Sequence, residues 1–189
     1  MNPAWLGLEE IREEHLILVD LDGDVLAGDH PRHSEYPIHA EIMRARSDVA
    51  AVVHTHPRFS IALAARGSAL RPVSHEACYF WPPDVPVLEE FTELVRTAAQ
   101  GRVVARTLGP GRGMFLRNHG IATAGTDVAE ACVGAILLER AAEIQLLAES
   151  GGRDVRHTPP DEALRKREQI YRPGALRSAF EYYARRLPS

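Results

Sequence analysis

"HAEIMRARSDVAAVVHTHP", residues 39–57, passes from a helical pattern to an extended one without a break. Its helical part starts upstream at Tyr36-Pro37, and Ile38, Ile42 and Ala45 recur at helical spacing. That spacing predicts a helix over 36–48 with proline in its first turn. Small and β-branched residues follow, so 49–54 reads as a buried strand. The strand runs into His54-Thr55-His56. Residues two apart on an extended strand point to the same face, so the two imidazoles can converge on one point. A third, His119, lies in "MFLRNHGIATAG" (114–125), which reads as two strands about a turn at Asn118-His119-Gly120. Three neutral imidazoles with one open position would suit a catalytic zinc ion; satisfied structural histidines fit the same spacing.

Outward from this centre, "LILVDLDGDVL" (16–26) reads as two short antiparallel strands about Asp22-Gly23. The stretch 58–67 is a short helix closed by Gly67, and 70–87 alternates strand-like and turn-like pieces. The pattern over 88–101 predicts an amphipathic helix ended by Gly101. Thr126 is placed to cap a helix over 127–150. Within it "ACVGAILL" (131–138) is apolar nearly all round, which implies burial inside the domain or against a neighbouring subunit. Residues 161–171 and 174–187 make a closing helical pair. Antiparallel strands and helices that do not strictly alternate predict a helix-covered mixed sheet rather than a doubly wound parallel one.

Bulk properties narrow the function. At 189 residues, 45% apolar and 25% charged, the chain reads as one soluble globular domain over 1–189. A net charge of -4 gives no electrostatic footprint for nucleic acid. No apolar run approaches the ~20 residues that span a bilayer, and the start shows no secretion signal. Cys78 and Cys132 are too few for a disulfide framework, so reduced thiols and a cytoplasmic location are expected. His15, His30 and His157 sit in polar stretches and read as solvated; His39 reads as a surface or packing residue of its helix. Glu35, in "HSEYP" (33–37), could cap the positive end of the following helix or serve the histidines.

Taken together, Ser34-Glu35, the segment 39–57, "NHG" at 118–120 and the long apolar helix resemble the class II aldolase/adducin family. Glu35 stands nineteen residues before His54, and His56 sixty-three before His119, separations that suit that family. The likeness runs from about Leu16 to Gly151, with 152–189 as C-terminal helices. It implies a three-layer α/β fold, a mostly antiparallel sheet between helical layers. It also implies a divalent metal, usually zinc with manganese or iron as alternatives, held by His54, His56 and His119. Glu35 would be the acid/base residue, and Ser34 would contact substrate. His75 stands where family aldolases place a tyrosine from a neighbouring subunit, so it is either a proton donor or merely a polar residue at a strand end. A homotetramer with shared sites is the family's usual assembly.

Two departures bear on the substrate. The family's Gly-Asn phosphate loop lies ahead of where this chain starts, and its paired serines are here His33 and Ser34. Either the start lies further upstream or the substrate carries no phosphate, and the second is favoured. The expected activity is therefore a metal-dependent carbon–carbon lyase, an aldolase or decarboxylase, working through an enolate of a small hydroxy or oxo acid or sugar-type substrate. A sugar-phosphate 4-epimerase, a non-catalytic adducin-like binding module and an iron oxygenase are the alternatives.

Overall fold

The computed structural model describes residues 1–152 and 154–187. Two short strands, β1 (Leu18–Val19) and β2 (Val25–Ala27), pair antiparallel around Asp22-Gly23 as the sequence predicts. Helix α1 (Tyr36–Ala45) opens with Pro37 in its first turn and leads into strand β3 (Ala51–Thr55). Helices α2 (Arg58–Ala65) and α3 (His75–Cys78), then strand β4 (Val87–Leu88), complete the first half. The second half contains α4 (Ala98–Leu108), strands β5 (Gly113–Leu116) and β6 (Gly120–Gly125), and the long α5 (Val128–Glu149). Helices α6 (Pro160–Ile170) and α7 (Pro173–Ala184) close the described chain.

The central sheet has the order β3-β6-β5-β4. Its β3–β6 and β6–β5 pairings are antiparallel, and only β4 runs parallel to β5. Both faces are covered, so β5 and β6 are buried throughout. Met114, Leu116, Ala122 and Ala124 pack with Ile38 and Ile42 of α1 and Val104 and Leu108 of α4. The alternate residues Phe115 and Ile121 join Leu63, Tyr79, Val133 and Leu138 on the other face. Two apolar layers around one sheet give the three-layer α/β arrangement. Of the apolar 131–138 stretch, Ala131, Val133, Gly134, Leu137 and Leu138 are buried on the inner side of α5. Among the described residues, no helix is long and apolar enough to cross a membrane.

One helix is misplaced by the sequence pattern. The segment predicted as helical over 88–101 is not a helix until Ala98, and Gly101 lies inside α4 rather than ending it. The true start is a capping box: Thr97 Oγ1 accepts from the Gln100 N–H, and the Gln100 side chain accepts from the Thr97 N–H. Gly101 is where α4 crosses α1. A Cβ there would stand 2.6 Å from the Pro37 carbonyl oxygen and 2.8 Å from Glu41 Cγ, so glycine is needed for the close approach. At α5 the cap is Asp127, whose side chain accepts from the Glu130 N–H. Thr126 instead gives its N–H and hydroxyl to Glu130.

Candidate metal centre

The pairing of β3 with β6 assembles the centre. Residues His54 and Thr55 lie opposite Ala122 and Ile121, so the end of β3 meets the start of β6 where the Asn118-His119 turn enters it. Asn118 takes a left-handed conformation at φ 56° and brings His119 round. A side chain at Gly120 would run into the Thr55 carbonyl oxygen and stand 3.0 Å from the His56 ring. The three imidazoles meet there. Ring centroids are 4.7 Å apart for His54–His56, 5.0 Å for His54–His119 and 5.1 Å for His56–His119.

Glu35 joins them from the opposite side. It occupies the residue before α1 but makes no capping bond with its side chain, so the simple-cap reading fails. Its carboxylate, in a residue only 2% exposed, turns inward. Oε1 accepts from the Val95 N–H at 2.9 Å and stands 3.4 Å from His119 Nε2; Oε2 stands 3.4 Å from His54 Nε2. One ligand atom from each of Glu35, His54, His56 and His119 lies within 4.8 Å of every other.

The proton position on His54 is assigned by its partner. His54 Nδ1 lies 2.8 Å from the Ile121 carbonyl oxygen, which can only accept, so Nδ1 carries a proton and the neutral ring keeps its lone pair on Nε2. Among the described residues, His54 Nε2 and His119 Nε2 are buried with no hydrogen-bond partner. A buried lone pair facing a carboxylate oxygen is two acceptors in contact, an arrangement that a cation shared between them relieves. Ligand atoms sharing a tetrahedral ion at about 2.1 Å stand roughly 3.4 Å apart, and the two Glu35–histidine separations have that value. The donor set therefore fits a divalent metal.

Electrostatics act on these groups in opposite senses. Burial raises the Glu35 carboxyl, but the neighbouring His119 and His54 rings together with the Val95 N–H outweigh it and hold the group below the usual carboxylate range. Burial alone would lift it toward neutrality; the imidazoles and the backbone donor reverse that. Burial, then the charges of His54 and His119, push the His56 imidazole below its usual range, which favours the neutral ring.

A cleft of about 230 Å³ opens over His54, Thr55 and His56. Its far wall is the N-terminal segment with Asn2, Trp5, Leu6 and Leu8, and His33 and His39 also line it. His39, read from sequence as a surface or packing residue, is half-buried and lines this cleft. The available signal was its position four residues after Glu35, one helical turn further along the same side. Ser34 is exposed beside Glu35 and does not line the cleft. His75 is not at a strand end: it opens the short α3, capped by Ser74, is exposed, and lies outside both the four-residue cluster and the cleft.

Comparison with known proteins identifies the family and the fold. The family model for the class II aldolase and adducin N-terminal domain matches residues 1–146, so the match begins earlier than Leu16. Decarboxylase NovR from Streptomyces niveus is 35% identical over 154 residues, 80% of this chain and 57% of its own length. A 4-hydroxy-3-prenylphenylpyruvate oxygenase/4-hydroxy-3-prenylbenzoate synthase from Streptomyces roseochromogenus subsp. oscitans is also 35% identical, over 80% of this chain and 55% of its own. The chain thus spans little more than half the length of these two relatives. The crystal structure of an aldolase II superfamily protein from Pseudomonas syringae superposes with a TM-score of 0.84 at 30% identity, covering 98% of this chain and 76% of that one.

Proposed function

The chain belongs to the class II aldolase and adducin family, and from that membership we propose that it is a divalent-metal-dependent carbon–carbon lyase, a decarboxylase or aldolase of small hydroxy or oxo acids. One observation carries the reading: two buried imidazole nitrogens without partners face a buried carboxylate, with a third imidazole beside them and a cleft above. A binding module would not need that costly arrangement.

In this reading His54, His56 and His119 hold the metal, with zinc first among the candidates. When bound, the metal supplies Lewis-acid stabilisation of the negative charge that gathers on a substrate oxygen as the neighbouring carbon–carbon bond breaks. The chain's own residues do the rest. The Ile121 carbonyl fixes the His54 ring so that its lone pair faces inward. Glu35, pinned by the Val95 N–H and resting as a carboxylate, takes up the carbon-bound proton or passes on one it has received, within reach of His54 and His119. The N-terminal segment walls off water from one side. The imidazole and apolar lining suits an unphosphorylated acid, aromatic acids included, better than a sugar phosphate. The free thiols Cys78 and Cys132 support a cytoplasmic location.

The test is a screen of the purified protein, loaded in turn with zinc, manganese and iron(II), against hydroxy and oxo acids. Metal-dependent release of carbon dioxide or aldehyde, lost on chelation, is the expected result. Turnover that survives chelation would overturn the reading. The oxygenase name of one relative favours a second reading, an iron-dependent oxygenase. Oxygen consumption confined to the iron-loaded form would select it.

A further inference from the structure

Two histidines of the cleft have no task in the lyase reading. Their proton positions are assigned by the main chain, and in opposite senses. The Glu35 N–H donates to His33 Nδ1 at 3.2 Å. An amide N–H can only donate, so Nδ1 holds the lone pair and the proton of the neutral ring sits on Nε2. His39 is reversed. Its Nδ1 lies 3.1 Å from the Val52 carbonyl oxygen, which can only accept, so Nδ1 carries the proton. In the neutral ring its Nε2 is then the lone pair. Both rings line the cleft beside His54 and His56. In their neutral forms His33 thus offers a donor at Nε2 and His39 an acceptor at Nε2.

We propose that His33 and His39 read a hydroxyl group on the substrate, the hydroxyl oxygen accepting from His33 Nε2–H and its proton going to His39 Nε2. The proposal rests on the lyase reading, because the metal would seat the acid against which the hydroxyl is placed. A hydroxyl is the small group that accepts and donates through a single atom. A carboxylate or keto oxygen would set a lone pair against His39, and an ammonium would set a proton against His33. A hydrogen or methyl in that place would leave both nitrogens unpaired. A site that bonds a hydroxyl discriminates against analogues that lack it, because they make neither bond. The cleft thus selects hydroxy acids over their deoxy counterparts.

The experiment is calorimetric titration of the zinc-loaded protein with matched pairs: 2-, 3- and 4-hydroxybenzoate against benzoate, and glycolate against acetate. At least one hydroxy acid should bind about 30-fold more tightly than its deoxy partner, on the order of 2 kcal/mol. In His33→Phe that preference should fall to about 3-fold or less through weaker binding of the hydroxy acid, stronger binding of the deoxy acid, or both, and His33→Gln, which restores an N–H donor, should recover part of it. His39 also holds the Val52 carbonyl, which leaves His39→Leu open to a folding defect, so the outcome is decided on the His33 variants. Equal binding within every pair, no binding by any of these acids, or a preference that survives His33→Phe overturns the proposal while the lyase reading stands. Failure of the wild type to take up zinc, manganese or iron(II) overturns both.

Discussion

At the scale of single residues, the centre is made of groups whose loss has distinct signatures. His54→Ala should abolish both metal uptake and turnover, since no neighbouring side chain can supply the inward lone pair that the Ile121 carbonyl sets. Retained metal stoichiometry, measured by elemental analysis, would contradict that. Glu35→Gln should keep the metal and stop proton exchange at the substrate carbon, read by deuterium incorporation; unchanged exchange would remove Glu35 from the chemistry. His39 gives a pH prediction. Its folded pKa of about 4 lies below the ordinary 6.5, so between those values the unfolded chain binds the proton more readily. Stability should be full above pH 6.5, fall as pH drops toward 4 and level off below, by about 3 kcal/mol from this group alone. Denaturant midpoints for His39→Gln should show a shallower acid limb. The convergence of His54 with His56 was legible because strand periodicity is local. The inward turn of Glu35 was not, because it depends on Val95, sixty residues away.

At the scale of elements, the centre depends on a helix that contributes no residue to it. Glu139 of α5 accepts from the Phe59 N–H at 3.0 Å and from the Ser60 N–H and hydroxyl at 2.8 Å each. It thereby caps α2, which begins two residues after His56. Glu139→Ala should cost about 2 kcal/mol, roughly 4–8 °C in melting temperature, and weaken zinc binding in chelator competition, with Glu139→Gln milder. An unchanged melting temperature would show the cap to be idle. Gly101→Ala should destabilise by about 1–3 kcal/mol through collision with the Pro37 carbonyl, checked by denaturant titration. The mixed sheet and most helices were legible from periodicity and turn residues. The 88–101 stretch misleads because its spacing looks helical while its Val95 N–H is committed to Glu35 instead of a helical turn. Long-range demand outweighed local pattern.

At the scale of the whole molecule, the described chain leaves apolar groups on its surface: Trp5 at 91% exposure, Leu147 at 63% and Val128 at 59%. His75 is exposed and outside the cleft, so any part it has in catalysis requires a neighbouring copy. Light scattering should accordingly give a multiple of 20.9 kDa, with a tetramer the expected assembly, and a clean monomer would count against shared sites. His33, His39 and His54 take their tautomers from the Glu35 N–H, the Val52 carbonyl and the Ile121 carbonyl. Those atoms are common to every non-proline residue, so no replacement of Val52 or Ile121 removes the instruction. Laboratory evolution of this protein could reshape its walls freely, yet rewriting where its imidazoles keep their hydrogens would demand moving the peptide chain itself.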